Sequence, residues 1–197
     1  MATIGLSKPY FAVYSNNGTT VTYASGALFG KATEMDVELN DGNSNILYAD
    51  NSPAESDSQF SGGTVTINTD ELSATAMTTA LGMADSTISI TGVTTTGAKW
   101  LINNDDQVIP YIGVGGIAKK MIGGVIKYVA VVLDKVKLRN LSQSITTQGE
   151  SIEWQVPSLT GDIFRSDRAK HDWRRISTPL DTEAEAELCV KSYLNIT

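Results

Sequence analysis

Apolar and polar residues mostly alternate along this chain. In Glu34-Met35-Asp36-Val37-Glu38-Leu39 every acid falls on one side of an extended backbone and every apolar residue on the other, which predicts a half-buried strand with an acidic outer face. Shorter alternating runs occur at Thr64-Val65-Thr66-Ile67, Thr87-Ile88-Ser89-Ile90 and Ser151-Ile152-Glu153-Trp154-Gln155-Val156, each bounded by Gly, Asn, Asp or Pro. The β-branched stretch Val125 to Leu141 is the longest strand candidate. Its apolar phase blurs from Val131 to Asp134, which predicts burial on both faces or a bulge. Ile109 to Ile117 is also β-like, and Gly123-Gly124 between the two can turn a hairpin. Together these runs predict a mainly β, antiparallel domain.

Two segments carry helical spacing instead. Thr182 followed three residues later by Glu185 is a capping box, and Ala186, Cys189, Val190, Tyr193 and Leu194 then share one face, so a C-terminal helix over 181–196 is expected with Cys189 in the core. After Thr69-Asp70, Leu72, Ala76, Ala80 and Leu81 share a side and Gly82 supplies a stop. Between 40 and 63 the chain is rich in Asn, Asp, Ser and Gly, apart from Ile46-Leu47-Tyr48-Ala49. A loop of that length reads either as a projecting arm for a partner or as a surface loop holding a short strand.

Length and charge narrow the classes. At 197 residues one domain is expected, able to bury about 70% of its unfolded surface. The single cysteine rules out an intrachain disulfide framework. The start, MATIGLSKPYF, has no basic segment leading into a long apolar one, and the apolar run Tyr128 to Leu133 is too short to span a bilayer; a soluble product made in a cytoplasm, with no membrane partner, is expected. The net charge of -7 sits entirely in residues 1–100, with ten acids against three lysines, while residues 101–197 hold twelve of each sign. An acidic face argues against a protein that grips nucleic acid, since affinity for phosphates comes from Lys and Arg, and leaves open one that must avoid gripping it.

Candidate chemistry is sparse. Gly113-Val114-Gly115-Gly116-Ile117-Ala118, with Asp134 further on, fits the spacing of a dinucleotide fingerprint, yet a β-branched strand follows where the phosphate-binding helix is required. Asp41-x-Asn43-x-Asn45 opens like a calcium loop, but Ile46 stands where a glycine is needed and Ser52 where the closing Glu belongs. His171 is the only histidine, and Asp105-Asp106 beside Asn103-Asn104 reads as a turn. No nucleophile is placed with a base, so no enzyme and no cofactor or metal is expected. The one basic concentration, Arg165 to Arg175, is interleaved with Asp167 and Asp172, which favours pairing with an acidic surface over binding nucleic acid.

Five strings in order are similar to one family. Ser7-Lys8-Pro9-Tyr10-Phe11-Ala12-Val13-Tyr14, Leu47-Tyr48-Ala49-Asp50-Asn51, Tyr111-Ile112-Gly113-Val114-Gly115, Tyr128 to Lys137 and Thr147 to Trp154 resemble the major tail (tail tube) proteins of long, non-contractile-tailed bacteriophages of Gram-positive hosts. The resemblance covers nearly the whole chain, with Ile163 to Pro179 outside it. It implies two antiparallel sheets flanked by a helix, hexameric rings stacked into a hollow tube in the virion tail, and separate tail-tip (initiator), length-determining and terminator partners. In that setting DNA passes through the lumen without specific binding. Glu34, Asp36 and Glu38 are then candidates for the lumen wall, or else acids that keep the outside soluble. Pro9 and Tyr10 in an N-terminal arm through Tyr14, Leu47 and Tyr48 in the long loop, and Arg168, Trp173 and Arg174 in the basic segment are candidate contacts between subunits. The alternative class is a monomeric or virion-surface β-sandwich that binds or decorates.

Overall fold

The computed structural model describes residues 2–18, 20–41, 45–49, 52–57, 60–141, 145, 147 and 155–197, with the backbone alone at 2, 41, 45–49 and 52–57. The fold is mainly β. One antiparallel sheet runs in the order β2 (Val21–Leu28), β1 (Ala2–Asn16), β9 (Tyr111–Ile122), β10 (Val125–Leu138), β11 (Ser158–Phe164), β6 (Phe60–Thr69), β3 (Ala32–Asp41), and β12 (Arg174–Ile176) pairs with the middle of β10. Two small hairpins stand apart from it, β4 (Asn45–Ala49) with β5 (Ser52–Asp57), and β7 (Ala84–Thr87) with β8 (Lys99–Ile102).

The long sheet curls so that its halves face each other as the layers of a sandwich. A methyl group placed on Gly116 in β9 would meet Met35 of β3 at 3.4 Å, although the two strands lie far apart in the ladder. The core between the halves is Phe11, Phe29, Val65, Ile67, Ile112, Val114, Leu133, Val136, Leu138, Leu159 and Ile163. A short π-type turn, Ala76–Ala80, closes one end of it with Ala76, Ala80 and Leu81 buried and Gly82 at φ +67°. The expected helix after Asp70 is therefore present but reduced to this turn, held at its start by the Ser73 hydroxyl accepting from Ala76 N–H at 3.1 Å.

On the opposite face of β1, β9 and β10 lies helix α1 (Glu183–Tyr193), which begins with the predicted capping box between Thr182 and Glu185. Ala186, Val190 and Leu194 pack on Tyr10, Ala12, Tyr23, Ile117, Ala130 and Val132. Cys189 corrects the sequence expectation: it is exposed, because the contact stripe recurs every fourth residue through 186, 190 and 194 and leaves 189 to one side.

The β9–β10 hairpin turns on Gly123 (φ +57°) and Gly124 (φ +81°) alone, with Ile122 paired to Val125, so Lys119 to Ile122 extend the strand and not the loop. The ladder slips between Leu133 and Val136, the bulge expected there. Ser151 to Trp154, read as part of a strand, lie outside the described residues, while Gln155 and Val156 belong to no strand. Ile88 to Ile90 also fall outside β7, which ends at Thr87.

The segment through Tyr14 is not an arm. It forms β1, paired with β2 and with β9, and Tyr10, Phe11 and Ala12 are buried. A slip in register between Ser7 and Tyr10 accommodates Lys8 at φ +51° and Pro9, whose missing N–H would otherwise break the ladder.

Candidate functional site

The outer face of the sheet has two unlike parts. Over β1, β9 and β10 it is covered by α1 and by the segment leading into β12, with Asp167 on Tyr14 and Arg168 over Tyr193. Over β11, β6 and β3 it is bare and polar. Register places Glu38, Thr64, Asp162, Lys137 and Tyr111 in one row across five strands. Asp36, Thr66 and Thr160 form the next row, and Glu34, Asn68 and Ser158 the third. All three β3 acids are exposed, spaced two residues apart at roughly 7 Å, while Met35, Val37 and Leu39 point into the core. The predicted half-buried strand with an acidic outer face is thus β3, and it forms one margin of the sheet.

Charge on this face is graded. Asn68 donates from Nδ2 to Glu34 Oε2 at 2.8 Å, a neutral partner for the acid. At the other margin Arg139 Nη2 holds Asp162 Oδ1 at 2.6 Å, and Lys135 and Lys137 lie over the Tyr111 ring at 4.7 and 5.2 Å. Phe164 meets Tyr111 edge to face, 5.6 Å between centroids. From β10 to β3 the wall therefore passes from cations on aromatic rings, through threonines and an ion pair, to a row of acids.

Behind the covered part lies a buried polar clamp. Asp134, fully buried at the β10 bulge, accepts at its backbone O from Tyr23 Oη at 2.8 Å and at Oδ1 from Tyr193. Arg175 of β12 donates from Nε to Tyr193 Oη at 2.7 Å and from Nη2 to Asp172 at 2.6 Å. Burial, with Asp134 beside them, raises the phenol pKa of both Tyr23 and Tyr193 above the ordinary value, so both stay protonated donors. The clamp fastens β12 and α1 to the sheet.

A second tie fixes α1 to β1. Glu187 takes Lys8, Tyr10 Oη at 2.6 Å and Lys191 at 3.3 Å, and these donors, Lys8 first, lower its carboxyl to about 2. Among the described residues no cluster of three or more His, Cys, Asp or Glu is placed to hold a metal.

Several expected contacts are internal. Pro9 and Tyr10 are buried in the subunit's own core, so they do not form an accessible surface. Trp173 stacks on Phe60 at 4.2 Å with rings 4° from parallel, and Arg168 lies over the Tyr193 ring at 5.2 Å; both fold the basic segment back onto its own chain. Arg174 is exposed above Trp173. The side chains of Leu47 and Tyr48 lie outside the described residues, and the backbone there forms the β4–β5 hairpin. Sequence reading missed the roles of Tyr23, Arg175 and Glu187; the one available signal for the clamp was an acid, Asp134, interrupting an apolar run.

No protein-family model matches the chain, and no curated protein matches it.

Proposed function

We propose that this chain is the structural subunit of a phage tail tube, whose copies close into rings, hexameric in the family it resembles, and stack around a channel that conducts DNA. The observation that carries this reading is the bare polar half of the sheet, ending in a free edge strand whose outward side chains are Glu34, Asp36 and Glu38. Repeated around a lumen, that edge sets fixed negative charge beside passing phosphates and repels them over about 8 Å at physiological salt. The cations at the β10 margin are partly held within the subunit, by Asp162 and by Tyr111, so they offer DNA fewer free grips.

The rest of the sheet is suited to the outside of a tube: α1 and the segment leading into β12 cover it. A growing tube requires heterologous contacts between copies, and its length then has to come from initiator, length-determining and terminator partners.

Negative-stain electron microscopy across a concentration series, paired with light scattering, tests the reading. Rings or hollow tubes are expected. A persistent monomer, also after addition of tail-tip extract, overturns the tube and leaves the binding or decoration module. In assembled tails, Glu34→Gln, Asp36→Asn and Glu38→Gln together are expected to slow DNA release, and unchanged release removes the acids from the lumen.

A further inference from the structure

Strands β9 and β10 span the subunit, and their two ends differ in chemistry. Twelve residues of β9 cover roughly 40 Å, so the residues before Tyr111 and those after Ile122 lie at opposite ends of one rod. The far end is the hairpin tip. Nothing lies within 4 Å of a methyl group placed on Gly123 or Gly124, so the turn stands clear of the rest of the protein. Around it Met121, Val125 and Ile126 are exposed, with Met121 directly across from Ile126.

The tip also carries unbalanced positive charge. Lys120 is the direct cross-strand partner of Lys127, and like charges in that position repel. Asp181 neutralises Lys127, whereas Lys119 and Lys120 have no ion-pair partner among the described residues. The two half-buried lysines flank the apolar knob, Lys119 on the face of Met121 and Ile126 and Lys120 on the face of Val125.

The near end of β9 is the complement. A shallow groove there is lined by Asn104, Gln107, Val108, Ile109, Lys137 and Asn140. Val108 is 78% exposed, and Asp105 and Asp106 in the adjoining turn are exposed with no ion-pair partner among the described residues. The groove is held in shape: Gln107 Nε2 donates to Leu81 O at 2.7 Å, and Gln107 N–H to Asn104 O at 3.1 Å. Lys137 on its wall is turned toward the Tyr111 ring.

We propose that the β9–β10 tip of one copy docks in the groove before β9 of the next, with Met121, Val125 and Ile126 against Val108 and with Lys119 and Lys120 facing Asp105 and Asp106. The occupant is a second copy of this chain, because one molecule presents both the knob with two unpaired lysines and the socket with two unpaired acids. The two lie at opposite ends of a single strand, so the contact is head to tail and repeats. It rests on the tube reading for its place in a tail, where it would join one ring to the next.

The test compares the wild type with Lys119→Glu/Lys120→Glu, with Asp105→Lys/Asp106→Lys, and with an equal mixture of the two variants, by scattering and electron microscopy. Thermal unfolding checks that these changes leave the fold intact. Each variant is expected to raise the concentration at which stacking begins by about tenfold or more, and the mixture to stack through the restored pairing of tip with groove. Tubes that form equally well in both variants overturn the contact and leave the tube reading standing. A Val108→Cys/Val125→Cys chain on a Cys189→Ser background gives a readout without tubes: a ladder of disulfide-linked multimers supports the contact. Monomer alone, with no tubes from the wild type, overturns both. Binding of the monomer to anionic vesicles that is lost in the lysine variant, with no effect of the aspartate variant on self-association, also overturns it and assigns the tip to a membrane surface.

Discussion

Gly113→Ala tests whether the β9 glycines exist to let α1 approach the sheet. A Cβ at Gly113 would lie 2.6 Å from Tyr23 Cε1 and 2.7 Å from Leu194 Cδ2. Neither neighbour can retreat cheaply. Leu194 is fully buried in the packing of α1 on the sheet, and the Tyr23 ring is fixed at its far end by the hydrogen bond to Asp134. Carbon atoms pack at about 3.5–4.0 Å, so each must yield by roughly an ångström, and overpacking of this kind costs about 1–3 kcal/mol. In a chain of this length that lowers Tm by about 3–10 °C, read by circular dichroism. Gly5→Ala is the control, since its Cβ would meet Lys119 Cβ at an ordinary 3.8 Å. It is expected to hold or slightly raise Tm, because alanine restricts the unfolded chain. Equal Tm for Gly113→Ala and wild type would refute the close packing of α1 on β9.

Asp134→Ala removes the carboxylate that accepts from Tyr193 and faces Arg175, while the backbone O that accepts from Tyr23 stays; it is expected to cost about 2–3 kcal/mol, against about 1–2 for Tyr193→Phe, both read from urea midpoints. Glu187 gives a pH signature: its carboxyl is lowered from 4.5 to about 2 in the fold, so its stabilisation is complete above about pH 4.5 and is lost as pH falls toward 2. Allowing for the solvent that reaches Lys8, that amounts to about 1–2 kcal/mol. Glu187→Gln should flatten this part of a Tm-against-pH curve between pH 6 and 2, and an unchanged acid limb would show that the Lys8–Glu187 tie contributes nothing.

Alternation and caps were legible because each is a local rule. Glu34 to Leu39 became β3 with its acids outward, Thr182 and Glu185 capped α1, and Gly123-Gly124 closed a hairpin. What stayed hidden depends on partners distant in sequence. Nothing near Pro9 reveals that β1 lies between β2 and β9, since Pro9 reads as a strand breaker until a slip in register supplies the bulge that tolerates it. Gly113 and Gly115 match a cofactor pattern by spacing alone. In space they are the places where Leu194 and Val190 come down on the sheet, contacts spanning about eighty residues of sequence. Cys189 shows the same limit at finer grain: a stripe drawn three and four residues apart admits it, and the face α1 buries, Ala186, Val190 and Leu194, decides against it.

The two edges of the sheet also differ in a way that constrains how copies can meet. At β2, Leu28 O accepts from the Ser73 hydroxyl at 3.1 Å and Tyr23 O from Asn195 Nδ2 at 3.2 Å, so side chains already occupy carbonyls of that strand. At the other edge β3 pairs with β6 alone. Two β3 strands meeting antiparallel about Asp36 would set Asp36 against Asp36 and Glu34 against Glu38, placing like charges directly opposite three times over. Charged edges of this kind are a recognised guard against indiscriminate strand pairing. Symmetric pairing through β3 is therefore disfavoured, and any copy approaching that edge must offer a different surface from the one it meets. In the proposed tube, that asymmetry is what a closed ring would require of its lateral contact, and the unlike ends of β9 would supply the same asymmetry for the proposed stacking.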